Sequence, residues 1–400
     1  DALTILDEMT RTAQTREEEA DLLSRILDLY YDRDDYDEAL VIARRLLALE
    51  FVDEATPQRP FTLKEKALYL LGDVLLRQGD GDGAMAAFGQ LLDQYEGSLF
   101  EIPVRLNRAT HLFATGNLDG AVVAFEDLRT RGLDKEQAFS VNFYLANARY
   151  SLRQFEEAHR LFDELLTSDP NAPERADLLF GLAESKYQLG DFEQASAQYR
   201  QILAEFPNET SADDSQYNLA WCLIELGRED EAMAEFGRIL ENYPDSEFAA
   251  AAQFTFGDYA YNRQEYSEAL NAYQKVQEAY PDAPVAAQVP RLLDELKEAL
   301  AYQEYEKGLE LMDLADSGGG EADYRRAIEV FTRVREAYPG TESEIGAISN
   351  MGVCLESIGR WQDAVDLYDE VIVLYEEEQA TREAFQFAKA HRDWIVSTRL

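Results

Sequence analysis

Six alanines, Ala84, Ala121, Ala158, Ala195, Ala232 and Ala269, follow one another at an unbroken spacing of 37 residues. The same pattern recurs around each of them. Gly190-Asp191-Phe192-Glu193-Gln194-Ala195 leads to Tyr199 and then Phe206-Pro207; Gly227-Arg228-Glu229-Asp230-Glu231-Ala232 leads to Phe236 and Tyr243-Pro244. A fixed period of this size means a stack of helical hairpins. Such stacks present surfaces to partners and rarely carry chemistry.

Each unit splits into two amphipathic halves at a Gly-Asp or Gly-Asn turn. Leu179, Leu182, Ala183 and Tyr187 recur at helical spacing before the turn, and Ala195, Tyr199, Ile202 and Leu203 after it. A small residue is required where two antiparallel helices approach closely. An aromatic just after the turn (Tyr36, Phe155, Phe192, Tyr266, Tyr324, Trp361) is placed to pack under the hairpin. Twelve residues past the alanine stands a proline in five units, Pro170, Pro207, Pro244, Pro281 and Pro339. Proline lacks the amide hydrogen and disfavours helix at its predecessor, so it ends the second helix. No segment alternates in the manner of a strand for long, and the expected fold is all-α.

The small residue, the turn, Ala-x3-aromatic and the terminal proline together resemble the tetratricopeptide repeat, over nearly the whole chain and in one phase. The resemblance implies an α-solenoid, a right-handed superhelix of antiparallel hairpins. The commonest unit of that family has 34 residues, whereas this one has 37, with a longer link such as Pro244-Asp245-Ser246-Glu247-Phe248. That form is similar to bacterial envelope members of the family, those of the Tol–Pal system and of outer-membrane β-barrel assembly, and it favours the periplasm or cell envelope. Arg149 and Lys186 occupy places where the family has an aromatic; Tyr150 and Tyr187, one place on, are expected to take over that packing while the basic stems snorkel.

Two breaks interrupt the phase. Ala39 lies 45 residues before Ala84, and the surplus falls in the Pro-containing stretch 51–60. A further 37 back stands Ala2, with Leu6 and Met9 at matching core positions, so the chain is expected to open inside the second helix of a repeat. That would leave an apolar face available for self-association. The second break lies between Ala269 and Ala327, a gap of 58. Pro284 and Pro290 precede a helical stretch over 291–315 and the loop Asp316-Ser317-Gly318-Gly319-Gly320, which reads as one enlarged hairpin over 284–339. The expected organisation is an N-terminal array over 1–283 and a C-terminal segment over 284–400. Ala364 restores the phase, and 381–400 fits one more first helix, its Phe385, Phe387, Trp394 and Ile395 packing on the last full repeat.

The net charge is −42, and lysine is scarce, 8 against 29 arginines. Such a surface is the pattern of adaptation to high salt, where counterions screen self-repulsion; the rival reading is an acidic face shaped for a basic partner. Nucleic acid is excluded as a partner, because phosphate binding needs a basic stripe. No stretch approaches the roughly 18 uninterrupted apolar residues of a membrane helix. Cys222 and Cys354 each stand five residues before a turn glycine, several hairpins apart, and read as small packing residues.

No catalytic or metal constellation emerges, and neither an enzyme nor a cofactor or metal site is expected. His111, His159 and His391 are scattered. Gly318–Gly320 has no following Lys-Ser/Thr. Asp32, Asp34, Asp35 and Asp37 lack the glycine and closing glutamate of a calcium loop. Function must come from the concave face, which in this family is built by the first helices. Counting back 15 and 11 places from the alanines, the groove candidates are Tyr69, Asp73, Phe143, Asn147, Phe180, Glu184, Tyr217, Trp221, Phe254 and Asp258. A third row eight places back (Leu76, Phe113, Tyr150, Tyr187, Ile224, Tyr261) is divided between groove and contacts among repeats. Aromatics present rigid area, and a few such anchors dominate binding. The family's carboxylate clamp is disfavoured, since this groove offers acids where that clamp needs cations. The reading is a non-enzymatic scaffold holding a protein or peptide in its groove; the alternative is a structural spacer or oligomerisation segment of a larger protein.

Overall fold

Helix ends are written into each 37-residue unit. The computed structural model describes residues 2–377 and 379–400 as twenty α-helices in two compact units, Asp1–Gly227 and Arg228–Leu400. The first unit holds α1 (Ala2–Thr12), α2 (Arg16–Tyr31), α3 (Tyr36–Ala48), α4 (Leu63–Arg77), α5 (Gly81–Gln94) and α6 (Glu101–Ala114). It continues with α7 (Leu118–Arg129), α8 (Lys135–Ser151), α9 (Phe155–Ser168), α10 (Arg175–Gln188), α11 (Phe192–Glu205) and α12 (Ala212–Glu225). The second holds α13 (Glu229–Asn242), α14 (Glu247–Asn262), α15 (Tyr266–Ala279), α16 (Val289–Leu314), α17 (Glu321–Ala337), α18 (Glu342–Ser357), α19 (Trp361–Glu376) and α20 (Arg382–Thr398). No strand occurs among the described residues, where one isolated β-bridge pairs Thr56 with Arg59. The five prolines stand two residues beyond the ends of α9, α11, α13, α15 and α17.

Eight first helices stop on a residue of positive φ five places before the signature alanine, whereas α16 is followed by Gly318 and Gly320 of the longer loop. Glycine holds this place at Gly79, Gly116, Gly190, Gly227 and Gly359, with φ between 70° and 83°. The residue that follows then donates its N–H back into the helix, as Asp191 does to the Lys186 carbonyl at 2.9 Å, which satisfies a carbonyl the helix end leaves open. Asp34, Arg153 and Gln264 adopt the same geometry without being glycine. A left-handed L-residue costs about 1–2 kcal/mol, partly offset by glycine's larger entropy loss on folding. Arg153→Gly and Gln264→Gly are therefore expected to stabilise the chain by about 0.5–1 kcal/mol each in urea unfolding. Asp34→Gly should do less, because Asp34 accepts a hydrogen bond from the Tyr36 hydroxyl.

Inside the hairpins, one ring lies across one small residue. The aromatic four places after the alanine is buried in every case: Phe88, Phe125, Phe162 and Tyr199 in the first unit, Phe236, Tyr273, Phe331 and Tyr368 in the second. The facing first helix must be stripped there. A Cβ on Gly72 would meet the Phe88 ring at 2.3 Å, and Gly257, Gly308 and Gly352 stand in the same relation to Tyr273, Phe331 and Tyr368. Alanine holds the register at Ala109, Ala146 and Ala183, all fully buried. The α2–α3 hairpin inverts the sizes, with Leu27 on the first helix and Ala43 on the second, both buried.

First helices of successive hairpins touch one another, α2 with α4 and α6 with α8 in the first unit, α16 with α18 and α18 with α20 in the second; second helices do not approach one another to that extent.

The breaks in phase are resolved locally. The stretch 51–60 folds back so that Asp53 accepts the Leu63 and Lys64 N–H groups at 2.8 and 2.9 Å, capping α4 from outside the helix. In the enlarged hairpin, α16 runs for 26 residues and is followed by a single π-type turn, Ala315–Gly319. Its Glu298 does for α18 what Asp53 does for α4, accepting the Glu342 N–H at 2.8 Å, the Ser343 N–H at 3.1 Å and the Ser343 hydroxyl at 2.7 Å. Glu298→Gln keeps the shape and removes the charge; thermal unfolding is expected to show a loss of about 1–2 kcal/mol.

At the N-terminal end α1 packs on α2, but Met9 is not a core residue: it is 46% exposed and Ile5 57%, because no helix covers that side of α1 among the described residues. Leu6 is half-buried, and the side chain of Ala2 lies outside the described residues. In α20, Ala388 and Ile395 are buried and Phe385 stacks on Tyr375 at 4.4 Å, whereas Phe387 and Trp394 are largely exposed. Trp394 still meets Trp361 at 6.0 Å, with Arg399 over both rings.

Candidate functional site: the face of the first helices

Nine of the ten residues expected in the groove are half-buried, and the tenth, Asp258, is exposed. All ten keep surface. The rings are seated on the core beneath them. Tyr69 stacks on Phe100 at 4.9 Å, Phe180 meets Tyr199 at 6.2 Å, Tyr217 meets Trp221 at 6.1 Å and, in the second unit, Phe254 meets Tyr273 at 5.1 Å. The third row divides as its rings require. Tyr150 and Tyr187 pack against Phe155 and Phe192 at 5.4 and 5.3 Å, and Tyr261 against Tyr266 at 5.7 Å, so these rings fill the space beneath the turns. The displaced cations lie beside them: Lys186 pairs with Asp191 at 3.3 Å, and Arg149 with Glu126.

The acids are not idle. Tyrosine hydroxyls reach the carboxylates of this face by two repeating routes. One runs within a hairpin across 15 residues, from Tyr199 to Glu184 and from Tyr273 to Asp258 at 2.5 Å. The other crosses to the next hairpin, from Tyr31 to Asp73 at 2.7 Å and from Tyr150 to Glu184 at 2.8 Å. Glu184 collects both, and Asn218 donates to it as well at 2.8 Å. Asp73 also receives Arg77 at 2.7 Å. Asp73, Glu184 and Asp258 thus each already accept at least one hydrogen bond from a tyrosine hydroxyl. Asn147 turns its amide to the Phe143 carbonyl at 2.9 Å.

These clasps have a consequence at high pH. Burial first, and then the neighbouring carboxylate, raise the Tyr31, Tyr150, Tyr199, Tyr273 and Tyr368 hydroxyls above their ordinary value of 10.0, Tyr31 to about 12. The folded state thus keeps protons that the unfolded chain releases. Their contribution is complete below about pH 10 and is lost as pH rises through the folded values. Urea midpoints taken between pH 8 and 11.5 are expected to be level to about pH 10 and to fall beyond it.

Phe143, Asn147, Phe180 and Glu184 are brought together in one pocket of the first unit, of about 390 Å³. Phe113, Tyr144, Phe162 and Gly181 complete its apolar wall, and Asp177 stands at its rim. A Cβ on Gly181 would meet the Phe162 ring at 2.5 Å, so the glycine lets that buried ring seat directly against α10. Tyr69 and Asp73 lie elsewhere on the face, and Phe254 and Asp258 belong to the second unit. A second pocket, of about 540 Å³, lies among α16, α18 and α20 and is lined by Tyr305, Ile345, Gly346, Asn350 and Phe387. It went unforeseen because the insertion breaks the count from the alanines; Tyr144 was missed because it falls between the counted rows, and Asp177 because it stands a turn before the first of them.

The remaining polar residues serve packing. His391 hydrogen-bonds Glu356 at 2.8 Å and lies on Phe387 at 4.3 Å. Burial lowers His159, with Lys186 adding to the effect. Cys222 and Cys354 are buried free thiols, pushed up to about 12 by burial. Among the described residues, no group of three or more His, Cys, Asp or Glu side chains is placed to hold a metal ion, and no helix is long and apolar enough to cross a membrane.

Within each unit, stacked hairpins that seat aromatics on the side of their first helices define a helical-repeat protein of the interaction class. Tetratricopeptide repeat models match residues 106–173, 143–209 and 180–247, residues 66–98 and 251–283, and residues 347–380, together more than half of the sequence. The chain belongs to the tetratricopeptide repeat family. Proteins of this family are generally non-catalytic scaffolds for protein–protein interaction, so the fold implies a protein partner. The chain has no significant match among curated proteins. It is similar in structure to the C-terminal part of a tetratricopeptide repeat protein from Cytophaga hutchinsonii, at 12% identity and a TM-score of 0.54 over 66% of this chain and 98% of that one. A tetratricopeptide repeat protein from Parabacteroides merdae aligns at 18% identity and a TM-score of 0.44, over 69% and 98%. At 12% identity, the likeness to the Cytophaga protein carries the fold alone.

Proposed function

We propose that this protein is a non-enzymatic scaffold that holds a segment of a partner protein against the face built by its first helices. The observation that carries the reading is the row of half-buried rings on that face, Tyr69, Phe143, Phe180 and Tyr217 in the first unit and Phe254 in the second. Each is fixed by a ring beneath it or a wall beside it and yet keeps surface. Rigid aromatics of this kind lose little entropy on binding and dominate interfaces. The acids between them are held by tyrosine hydroxyls, which fixes their direction and leaves further lone pairs for backbone N–H groups or basic side chains of a bound segment. Extended and helical segments both suit such a face. The long Pro-x-x-x-x link supports a place in a bacterial envelope complex.

The test is affinity capture from the source lysate at native salt, comparing the parent with a Phe180→Ala, Tyr217→Ala, Phe254→Ala variant whose helix content is checked by circular dichroism. A partner retained by the parent and lost by the variant is the expected result. Identical captured sets, or concentration-dependent self-association of the parent in place of capture, would overturn the reading.

A further inference from the structure

We infer that the 390 Å³ pocket of the first unit receives an arginine side chain carried by the bound partner segment, an inference that rests on the groove reading above. Its lining is mostly aromatic. Tyr144 stands edge-on to Phe113 at 6.1 Å and to Phe143 at 5.8 Å, and Phe180 lines the pocket with them. Two carboxylates line it, Glu184 and Asp177, and no cationic residue does. The nearby basic groups are engaged elsewhere: Arg149 with Glu126, Arg175 with Glu205 at 3.0 Å and Lys186 with Asp191.

The two acids differ in what they lack. Glu184 is anchored by Tyr150, Tyr199 and Asn218 and forms a fixed negative point. Asp177, exposed on its outer side, has no hydrogen-bond or ion-pair partner among the described residues, and partial desolvation, then Glu209 and Glu174, push it up. An arriving cation relieves that cost, whereas an anion or a plain apolar group adds to it. A pocket of aromatic faces with carboxylates at its edge selects a group that is planar, cationic and weakly hydrated. Guanidinium satisfies all three conditions; ammonium is compact and strongly hydrated. The volume accommodates the long arginine stem against the half-buried Phe113 and Phe143.

The experiment uses the full chain at fixed ionic strength and two fluorine-labelled, acetylated and amidated nonapeptides of alanine and serine. One carries a central arginine and the other citrulline, its neutral isostere; binding is read from peptide line widths. The arginine peptide is expected to bind between about 3-fold and 30-fold more tightly. Asp177→Asn and Phe180→Ala should each erase the difference. Glu193→Gln, which removes the same charge from the exposed start of α11, should leave it intact. Equal binding of the two peptides, absence of binding by either, or an equal loss in Glu193→Gln and Asp177→Asn would each overturn the assignment. Failure here with the captured partner still lost from the groove variant removes the arginine and leaves the groove reading standing. Discrimination here with the partner retained by that variant removes the groove reading instead.

Discussion

Ala43→Phe is expected to destabilise the chain by about 2–3 kcal/mol on its own and to be tolerated once Leu27 is replaced by glycine. Every other hairpin contained within one unit places a ring on its second helix against glycine or alanine on its first, as with Gly72 under Phe88 and Gly257 under Tyr273. The α2–α3 hairpin fills the same space with Leu27 and Ala43, each 1% exposed. A phenylalanine at 43 meets a leucine that cannot move aside, and overpacking of that kind costs about 1–3 kcal/mol. Leu27→Gly alone leaves a void and adds glycine's helix penalty, so it should cost at least the 2–5 kcal/mol typical of a leucine truncation. Combined, the two changes recreate the arrangement of the α4–α5 hairpin. The double variant should lie at least about 2 kcal/mol above the sum of the singles, a coupling read from a double-mutant cycle in denaturant. Additive costs would show that the two positions do not share one space and that the size rule is an accident of composition.

That hairpin also shows what the sequence discloses and what it withholds. The alanines, the turn residue of positive φ and the terminal prolines act on the backbone within one unit, so their spacing alone announces two helices, a reversal and a stop. Agreement among copies then makes the family legible. The exceptions at Asp34, Arg153 and Gln264 were invisible as exceptions, because phase and not residue type sets the conformation there. Contacts that skip out of the unit are harder to read. Asp53 and Glu298 look like two acids among 79, and only folding brings them to the N-termini of α4 and α18. Met9 matched a core position in register but lacks a covering helix.

For the site, counting back from the alanines located rings and acids on one face, because first helices repeat their orientation. It did not locate the tyrosine clasps, although a signal existed. Tyr199 and Tyr273 stand 15 residues after an acid on the preceding helix, and Tyr31 and Tyr150 stand eight before an alanine whose successor hairpin carries one. Phe88, Phe125 and Phe162 hold the second-helix place without a hydroxyl, and two of their three units, with Thr110 and Asn147, carry no acid there. The unit with Phe88 keeps Asp73, which is supplied from the preceding hairpin by Tyr31. In these units hydroxyl and acid go together once both routes are counted, a pairing of donor with charge that the hydrophobic period does not express; Tyr368 departs from the count, with Val353 at the acid's place and its hydroxyl donated to Glu356 instead.

Raising KCl from 0.05 M to 2 M is expected to lift the melting temperature by on the order of 10 °C, the largest change of condition to which this chain should respond. The chain carries 79 acids and 37 basic residues, so most of the surplus has no cation to meet. The ion pairs that do form are used economically. Arg131 meets both Glu101 and Asp127, and Arg392 both Asp369 and Asp393. Most are exposed and of small worth individually. Acids at helix starts, such as Glu156 and Glu157 on α9 or Glu229, Asp230 and Glu231 on α13, gain from the helix dipole but still repel one another. At low salt the Debye length exceeds 10 Å and neighbouring hairpins feel that repulsion; at 1 M it is about 3 Å. Screening alone is largely complete by about 0.5 M, so a melting temperature that keeps rising toward 2 M marks a surface adapted to concentrated salt. A rise that stops by about 0.5 M marks an ordinary acidic protein, and the charge would then belong to a basic partner. Chloride salts are the right titrant, since sulfate strengthens apolar burial in any protein. An equimolar sucrose series separates screening from exclusion. Stability that is unchanged across the KCl series would remove both the high-salt reading and the premise that self-repulsion limits this fold.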